Sequence, residues 1–374
     1  MRKPHFVNIP KNLAGKKVLL RADFNEPVEK GKIKDSFRIG RTRPTIHELL
    51  GRGASVICLS HLEDSNGALL SFKKHVRELE KVLRVKLLFS EKYKKQKIPQ
   101  GSVMLLENLR FHKGEKENTP SFAKLLSSLA DLYVNEAFSV SHRQHASIVG
   151  VPKFLPSYAG PLFAREVAVL SEALHPSHPF LLIIGGLKFK TKYPLLKNFL
   201  GRADGIFVGG ALANTFFKAK GLEIGRSVFD REALGSVKRE LLSSKKILLP
   251  IDLYVRSATV RDASEIKRGE RILDVGPKTL TFLRSIARLS KLIVWNGPLG
   301  YIERGFDKGT KDLLRFFSGL KIKVILGGGD TLEVLDHMRL EHKFYHVSTG
   351  GGAMLDFLAD GTLPGIEALL EAQK

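Results

Sequence analysis

Residues 324–335 read VILGGGDTLEVL. An apolar, β-branched run stops at three glycines; an aspartate follows, then a segment with helical spacing. The pattern is a strand, a turn of bare backbone and a helix start. Glycine lets ligand oxygens approach backbone N–H groups at a helix N-terminus, where the helix dipole favours anions. Residues 344–358, FYHVSTGGGAMLDFL, do much the same. Two such turns predict two anion seats at strand ends.

Outward from these turns, short apolar runs alternate with longer amphipathic ones along the chain. The first half has KKVLLRADF, SVICLS, SVMLLEN and DLYVNEAF. The second has FLLIIGG, GIFVGG, KILLP, RILDVG, LIVWNG, KVILGGG and FYHVSTG. Between them lie segments such as SFAKLLSSLA, with apolar residues three and four apart. Alternating strands and helices predict parallel sheets covered on both faces. About eleven strands exceed one comfortable open sheet. The expected fold is therefore α/β, with two doubly wound, Rossmann-like domains joined by a helix across an interdomain cleft. Pro152, Pro156, Gly160 and Pro161 mark the boundary, before the helical pattern REVAVLSEAL and the break HPSHP. This gives domains at 1–156 and 176–360, with a linker and helix at 157–175.

Composition narrows the function. The 374 residues carry 61 Lys+Arg against 38 Asp+Glu, a net charge of +23 that attracts polyanions and phosphorylated metabolites alike. The basic residues are scattered, and neither zinc-finger spacing nor an aromatic-basic RNP segment occurs. Nucleic acid is thus expected only through non-specific charge. No apolar run would span a bilayer, and the N-terminus lacks an apolar signal core. The single cysteine, Cys58, sits in an apolar strand pattern and is expected to be a buried, inert thiol. A cytoplasmic location follows as the expectation.

Nearly every strand ends in residues suited to something other than packing. The first-half edge has Arg21, Asp23, Asn25, Arg38, His61, Arg110, His142, Arg143 and His145. Guanidinium forks match carboxylate and phosphate oxygens. Pairing with Asp23, Glu107 and Glu136 is the structural alternative for any one arginine. The second-half edge has Gly185–Gly186, Gly209–Gly210, Asn296–Gly297–Pro298 and the two glycine triplets. Asp330 with Glu333 also fits a helix N-cap and capping box, but that pattern does not require three preceding glycines. A carboxylate beside phosphates suits Mg²⁺. No GxxxxGK[ST] or GxGxxG occurs at the right place. Together the two edges point to phosphoryl transfer across a cleft, and no residue pattern demands a covalent intermediate.

LLRADFNEP, DSFRI, RPTI, SHL, LLENLRFH, YVNEAF, HRQHAS and IIGGLKFKTK occur in that order. VGGALANTFFKAKG, DVGPKT, WNGPLG, GGGDT and HVSTGGGA follow. Over essentially its whole length the chain resembles the phosphoglycerate kinases. The resemblance implies reversible, Mg²⁺-dependent transfer between ATP/ADP and 3-phosphoglycerate/1,3-bisphosphoglycerate, with domain closure and a monomeric state. It implies phosphoglycerate contacts at Asp23, Asn25, Arg38, His61, Arg110 and Arg143. Nucleotide contacts are implied at Lys188, Lys192, Gly210, Asn296, Gly297, Leu299 and Glu303, and at Gly328, Gly329, Asp330 and Thr331, with Asp330 toward the metal. Arg38, Lys192 and Gly350, Gly351 and Gly352 are implied to surround the transferring group. The C-terminal residues 361–374 are implied to pack back on the first domain. Two other classes share parts of this pattern: a non-catalytic ATP-binding relative with a drifted acceptor site, and a basic polyanion-binding protein.

The chain departs from the family where SHL is followed by Glu63 and Asp64 instead of glycine and arginine. If position 64 faces the ligand, the lost cation costs about 2–4 kcal/mol of binding, and Asp64→Arg is expected to lower the KM for 3-phosphoglycerate. Lys73, Lys74, Arg41 and Arg43 are the nearby cations in sequence. Glu26, Thr191 and Ala211 also differ from the family pattern.

Overall fold

The structure, a computed structural model, describes residues 4, 6–29, 31–34, 36–64, 66–256 and 259–374. It divides into two units, Met1–Ala168 with Thr362–Lys374, and Val169–Gly361. In the first unit the strands are β1 (Lys17–Arg21), β2 (Ser55–Leu59), β3 (Leu87–Ser90), β4 (Val103–Leu106), β5 (Leu132–Asn135) and β6 (Ser157–Ala159). They form one sheet in the order β3-β4-β2-β1-β5-β6, and every pairing is parallel. Val56, Ile57, Cys58 and Leu59 of β2 are all buried. Continuous burial is what a parallel strand covered on both faces requires, and it explains the unbroken apolar run. Burial also pushes the Cys58 thiol up to about 12, so it is protonated and inert.

The second unit holds β7 (Phe180–Ile184), β8 (Gly205–Val208), β9 (Ile247–Leu248), β10 (Asp252–Tyr254), β11 (Val260–Asp262), β12 (Asp274–Val275), β13 (Leu292–Asn296), β14 (Lys323–Gly327) and β15 (His346–Val347). Its main sheet has the order β9-β8-β7-β13-β14-β15, again all parallel. β11, β10 and β12 make a separate antiparallel sheet. The run RILDVG is thus corrected: it supplies β12 of this small sheet and not a strand of the parallel one.

Two further corrections concern the boundary. Ser157–Ala159, expected within the linker, is the edge strand β6, bonded to β5. The helix that follows, Pro161–Leu174, contains the division itself, which falls between Ala168 and Val169. At the other end, the helix Pro364–Glu371 returns to the first unit. Gly365 N donates to Ser141 O at 2.9 Å, and Gln373 accepts from Val7 N and donates to Ser157 O. Gly365 lies so close to Ser141 that an added Cβ would meet the Ser141 side chain at 2.8 Å.

In each sheet the parallel strands point their carboxyl ends the same way. Register sets Asn296 of β13 beside Ile184 of β7 and Gly327 of β14. Residues just past those ends therefore collect on one edge, the usual ligand edge of an open α/β sheet.

Candidate functional site

In the first unit, Asp23 follows β1 and is nearly buried. It accepts from Ser139 Oγ at 2.5 Å and from Asn25 N at 3.1 Å. Arg38 stands in the first turn of the helix Phe37–Gly51, whose N-cap Ser36 makes no side-chain cap bond. Glu26 takes that capping role from a distance: its Oε1 accepts from Arg38 N at 2.6 Å. Glu26 Oε2 also lies 3.7 Å from Arg38 Nε, while Arg38 Nη1 donates to Asn25 O at 3.0 Å. Glu26 is therefore a buried anchor for Arg38.

His61 follows β2 and is buried. Burial, then the charges of Arg21, Arg110 and Arg143, hold its imidazole well below the ordinary range, so it is neutral. Arg21 Nη2 reaches His61 Nδ1 at 3.4 Å. A guanidinium only donates, so Nδ1 accepts and Nε2 carries the proton. His145 is likewise pushed down to about 3, by burial first and Arg110 next. Arg21 itself is fully buried, bonded to Ser147 Oγ and Ala22 O. It is a support for the edge rather than a ligand-facing cation.

Arg110 follows β4, and its side chain is only 3% exposed. Nη1 pairs with Glu63, while Nε and Nη2 have no partner among the described residues. Arg143 is close enough for Arg110, Glu63 and Asp23 all to act on its charge. Lys116 Nζ, which the sequence reading missed, stands 3.9 Å from Glu63. Two of the cations near in sequence have contacts of their own. Lys73 pairs with Glu91 at 2.8 Å, and Arg41 lies over the Phe37 ring at 4.9 Å. Asp64 is spent on its own loop: its Oδ1 accepts from Asn66 N at 2.9 Å and Ala68 N at 2.8 Å. The carboxylate on the arginine is Glu63, so the consequence expected at position 64 moves to position 63.

In the second unit, Lys192 is buried in the helix Phe189–Phe199 and donates to Gly185 O. Bare backbone surrounds its Nζ: a Cβ at Gly186 or Gly297 would come within 2.9 or 2.8 Å of it. Burial lowers the amine to about 8, against the opposing pull of Asp330. Gly297 and Gly328 both have left-handed φ, at 90° and 93°, and a Cβ on Gly328 would meet Gly297 N at 2.9 Å. Gly210 has φ 59° and would press a Cβ onto Gly186 N, whereas the departing residue Ala211 carries no such demand. Leu299 is buried, its N donating to Thr310 Oγ1 at 3.0 Å. Asn296 is buried beside Met354. Lys188 is the N-cap of the helix that holds Lys192, and the exposed Thr191 bonds back to Lys188 O at 3.1 Å.

The N-cap of the helix Gly329–Met338 is Gly328, with no side-chain cap. This corrects the capping-box alternative: Asp330 lies inside the first turn and leaves its carboxylate for other work. Partial burial, then Glu303, raise that carboxyl above its usual range, while Lys192 opposes them. Next to it the Thr331 hydroxyl is buried and has no hydrogen-bond partner among the described residues. Among those residues no three His, Cys, Asp or Glu are grouped to hold a metal unaided. The remaining turn presents Gly350 N to Ser348 Oγ at 3.1 Å and Gly351 at φ 50°, before the helix Gly352–Asp360.

Arginine forks on one sheet edge, and on another a glycine-cradled lysine near an aspartate at a helix start, define a small-molecule kinase. A sequence model of phosphoglycerate kinase matches residues 9–361. The enzyme of that name from Leptospira biflexa is 38% identical over 386 residues, covering 97% of this chain and 98% of its own. That from Orientia tsutsugamushi is 40% identical, covering 95% of both chains. Solved phosphoglycerate kinases from Coxiella burnetii (37% identity, TM-score 0.85) and Pyrococcus horikoshii (29%, 0.87) each cover 97% of this chain and 98% of theirs. The chain belongs to the phosphoglycerate kinase family, and so is a phosphotransferase of glycolysis. No helix among the described residues is long and apolar enough to cross a membrane.

Proposed function

We propose that the first unit binds 3-phosphoglycerate, the second binds ATP with Mg²⁺, and the γ-phosphoryl passes to the acceptor's carboxylate. The observation that carries this reading is Lys192: a buried cation held in a cage of side-chain-free backbone, within electrostatic reach of Asp330. A buried amine aimed at bare backbone has little structural purpose, but it suits phosphate oxygens.

The acceptor's oxygens meet Asp23, Asn25, Arg38, His61, Arg110 and Arg143. The acceptor carboxylate is already a nucleophile, so no base is needed, and the neutral His61 donates from Nε2 instead. Arg38 and Lys192, with the N–H groups of Gly351 and Gly352 at the turn that Gly350 opens, neutralise charge on the phosphoryl in transfer. On the nucleotide side, Gly210, Asn296, Gly297 and Leu299 line the nucleoside's path, Glu303 takes the ribose hydroxyls, and Lys188 meets phosphate. The Thr331 hydroxyl, without a hydrogen-bond partner among the described residues, and the neighbouring Asp330 carboxylate fit a Mg²⁺–phosphate group, with Gly328 and Gly329 supplying backbone. Bound there, the ion would offset phosphate charge. The enzyme acts as a cytoplasmic monomer.

Hydroxylamine trapping of the acyl phosphate formed from ATP, Mg²⁺ and 3-phosphoglycerate tests the reading. Turnover is expected. Protein that binds ATP yet makes no acyl phosphate at saturating acceptor would overturn it in favour of a non-catalytic nucleotide binder. A second expectation concerns the metal seat. Asp330→Asn should raise the Mg²⁺ concentration for half-maximal activity roughly tenfold or more. Calorimetry should then show ATP binding that no longer tightens when Mg²⁺ is added. ATP binding that still tightens with Mg²⁺ to the wild-type extent would remove Asp330 from the seat.

A further inference from the structure

Glu63 is a carboxylate placed on a cation that has been kept for an anionic ligand. We propose that it is a tethered competitor for the Arg110 seat, and that it sets the affinity of the acceptor's phosphate end. The inference rests on the reading above that Arg110 binds the acceptor.

Arg110 is buried, and Nη1 is the only one of its donating nitrogens with a partner among the described residues; that partner is Glu63. The unpartnered Nε and Nη2 form the side of the guanidinium that grips an oxyanion with two parallel bonds. An incoming phosphate therefore arrives beside an existing negative charge. Glu63 is not free to swing far. Its backbone N donates to Asn25 Oδ1 at 2.9 Å, and it forms an antiparallel bridge with Leu69. The turn at Asp64 closes the same loop. Only the side chain, 21% exposed, can retreat, and Lys116 Nζ at 3.9 Å offers it a second cation farther out in solvent, being 54% exposed. The physical picture is an exchange. Phosphate takes Arg110, aided by the Arg143 charge, and Glu63 shifts its pairing to Lys116. A carboxylate carries one charge and the acceptor's phosphate two, so the exchange favours a dianion and holds off singly charged acids.

The test is Glu63→Gln, which keeps the shape and one acceptor oxygen for Arg110 while removing the charge. The expected result is a KM for 3-phosphoglycerate lower by about tenfold, with kcat and the KM for ATP unchanged. Calorimetric titration with 3-phosphoglycerate, without nucleotide, should show the same ratio in Kd. Glu63→Asp, one methylene shorter and still charged, should fall between the two. Asp64→Asn, which retains the turn's acceptor, should leave KM where it is. A KM that is unchanged or higher in Glu63→Gln overturns the proposal, because Glu63 would then be holding Arg110 in place for the ligand. A shift of equal size in Asp64→Asn also overturns it, since loop geometry rather than charge would be the cause. If the wild-type chain gives no turnover, the kinase reading fails, while the ratio of the two Kd values still decides the role of Glu63.

Discussion

Replacing Lys192 with methionine is expected to lower kcat about a thousandfold while leaving the KM for ATP within a few-fold of its wild-type value. A cation that acts on charge developing in the transition state contributes to kcat more than to ground-state binding. In a loose phosphoryl transfer that charge lies on the equatorial oxygens, where the proposed role of Lys192 is to replace solvent. Methionine fills the same volume, so the glycine cage of Gly185, Gly186 and Gly297 need not rearrange. The pH profile gives an independent check. With its amine near 8, Lys192 loses its charge on the alkaline side, and kcat/KM should fall above about pH 8. The variant's residual activity should lack that limb.

Stability should move the other way. An unfolded lysine titrates near 10.5, so between about pH 8 and 10 the unfolded chain holds more protons here than the folded one. Stability therefore rises with pH across that window, and at neutral pH the buried charge costs the fold on the order of 3 kcal/mol. Lys192→Met removes the cost and should melt higher than wild type at pH 7. A variant that loses activity and also melts lower would make Lys192 a structural residue instead.

The strand ends were legible in the sequence because parallel strands are buried on both faces. Their interiors are constrained to apolar, branched residues, and a polar or glycine residue stands out at once where packing ceases. Arg110 after VMLL and Gly185 after FLLII were visible for that reason. The edge strands were not. Ser157–Ala159 is three residues long, preceded by Pro156 and followed by Gly160, so its local composition is that of a loop, and only its pairing to β5 makes it a strand. RILDVG carries the apolar signature of a parallel strand, but the antiparallel partners that claim it lie twenty residues upstream. The site was legible to the level of residue type and no further. Two consecutive carboxylates, Glu63 and Asp64, are equivalent on paper. The bridge from Glu63 to Leu69 and the turn to Ala68 send one to Arg110 and the other into its own loop. Arg21 shows the converse: it has the right side chain at a strand end, but it bonds to Ser147 and supports His61 from below. The role of Glu26 escaped for the same reason, since a remote cap on the Phe37–Gly51 helix depends on tertiary contact alone.

Glu136 carries the largest stability effect. It follows β5 and is buried, and its carboxylate accepts from the Thr45 hydroxyl, from Leu162 N at 3.2 Å and from Phe163 N at 3.1 Å. The last two are orphan donors at the start of Pro161–Leu174, the helix in which the two units divide. Glu136→Ala leaves two buried donors and one partly buried donor without an acceptor and opens a cavity. The cost should be about 4 kcal/mol, or roughly 10 °C in Tm, with faster amide exchange at Leu162 and Phe163 as its local signature. Burial also raises this carboxyl to about 7, against the hydrogen bonds that lower it. The folded chain thus binds more protons here than the unfolded one between about pH 4.5 and 7. The contribution is complete below pH 4.5 and is lost as pH rises through 7. Asp274, also raised to about 7 by burial, titrates in the same window, so the wild-type profile alone does not separate the two. The difference between wild type and Glu136→Gln does. The glutamine variant should be less stable than wild type near pH 5, where the protonated acid makes both kinds of bond without charge, and should close that gap as pH approaches 8. A gap that stays constant from pH 5 to 8 would mean that Glu136 titrates like an exposed carboxylate, and that burial does not govern its proton.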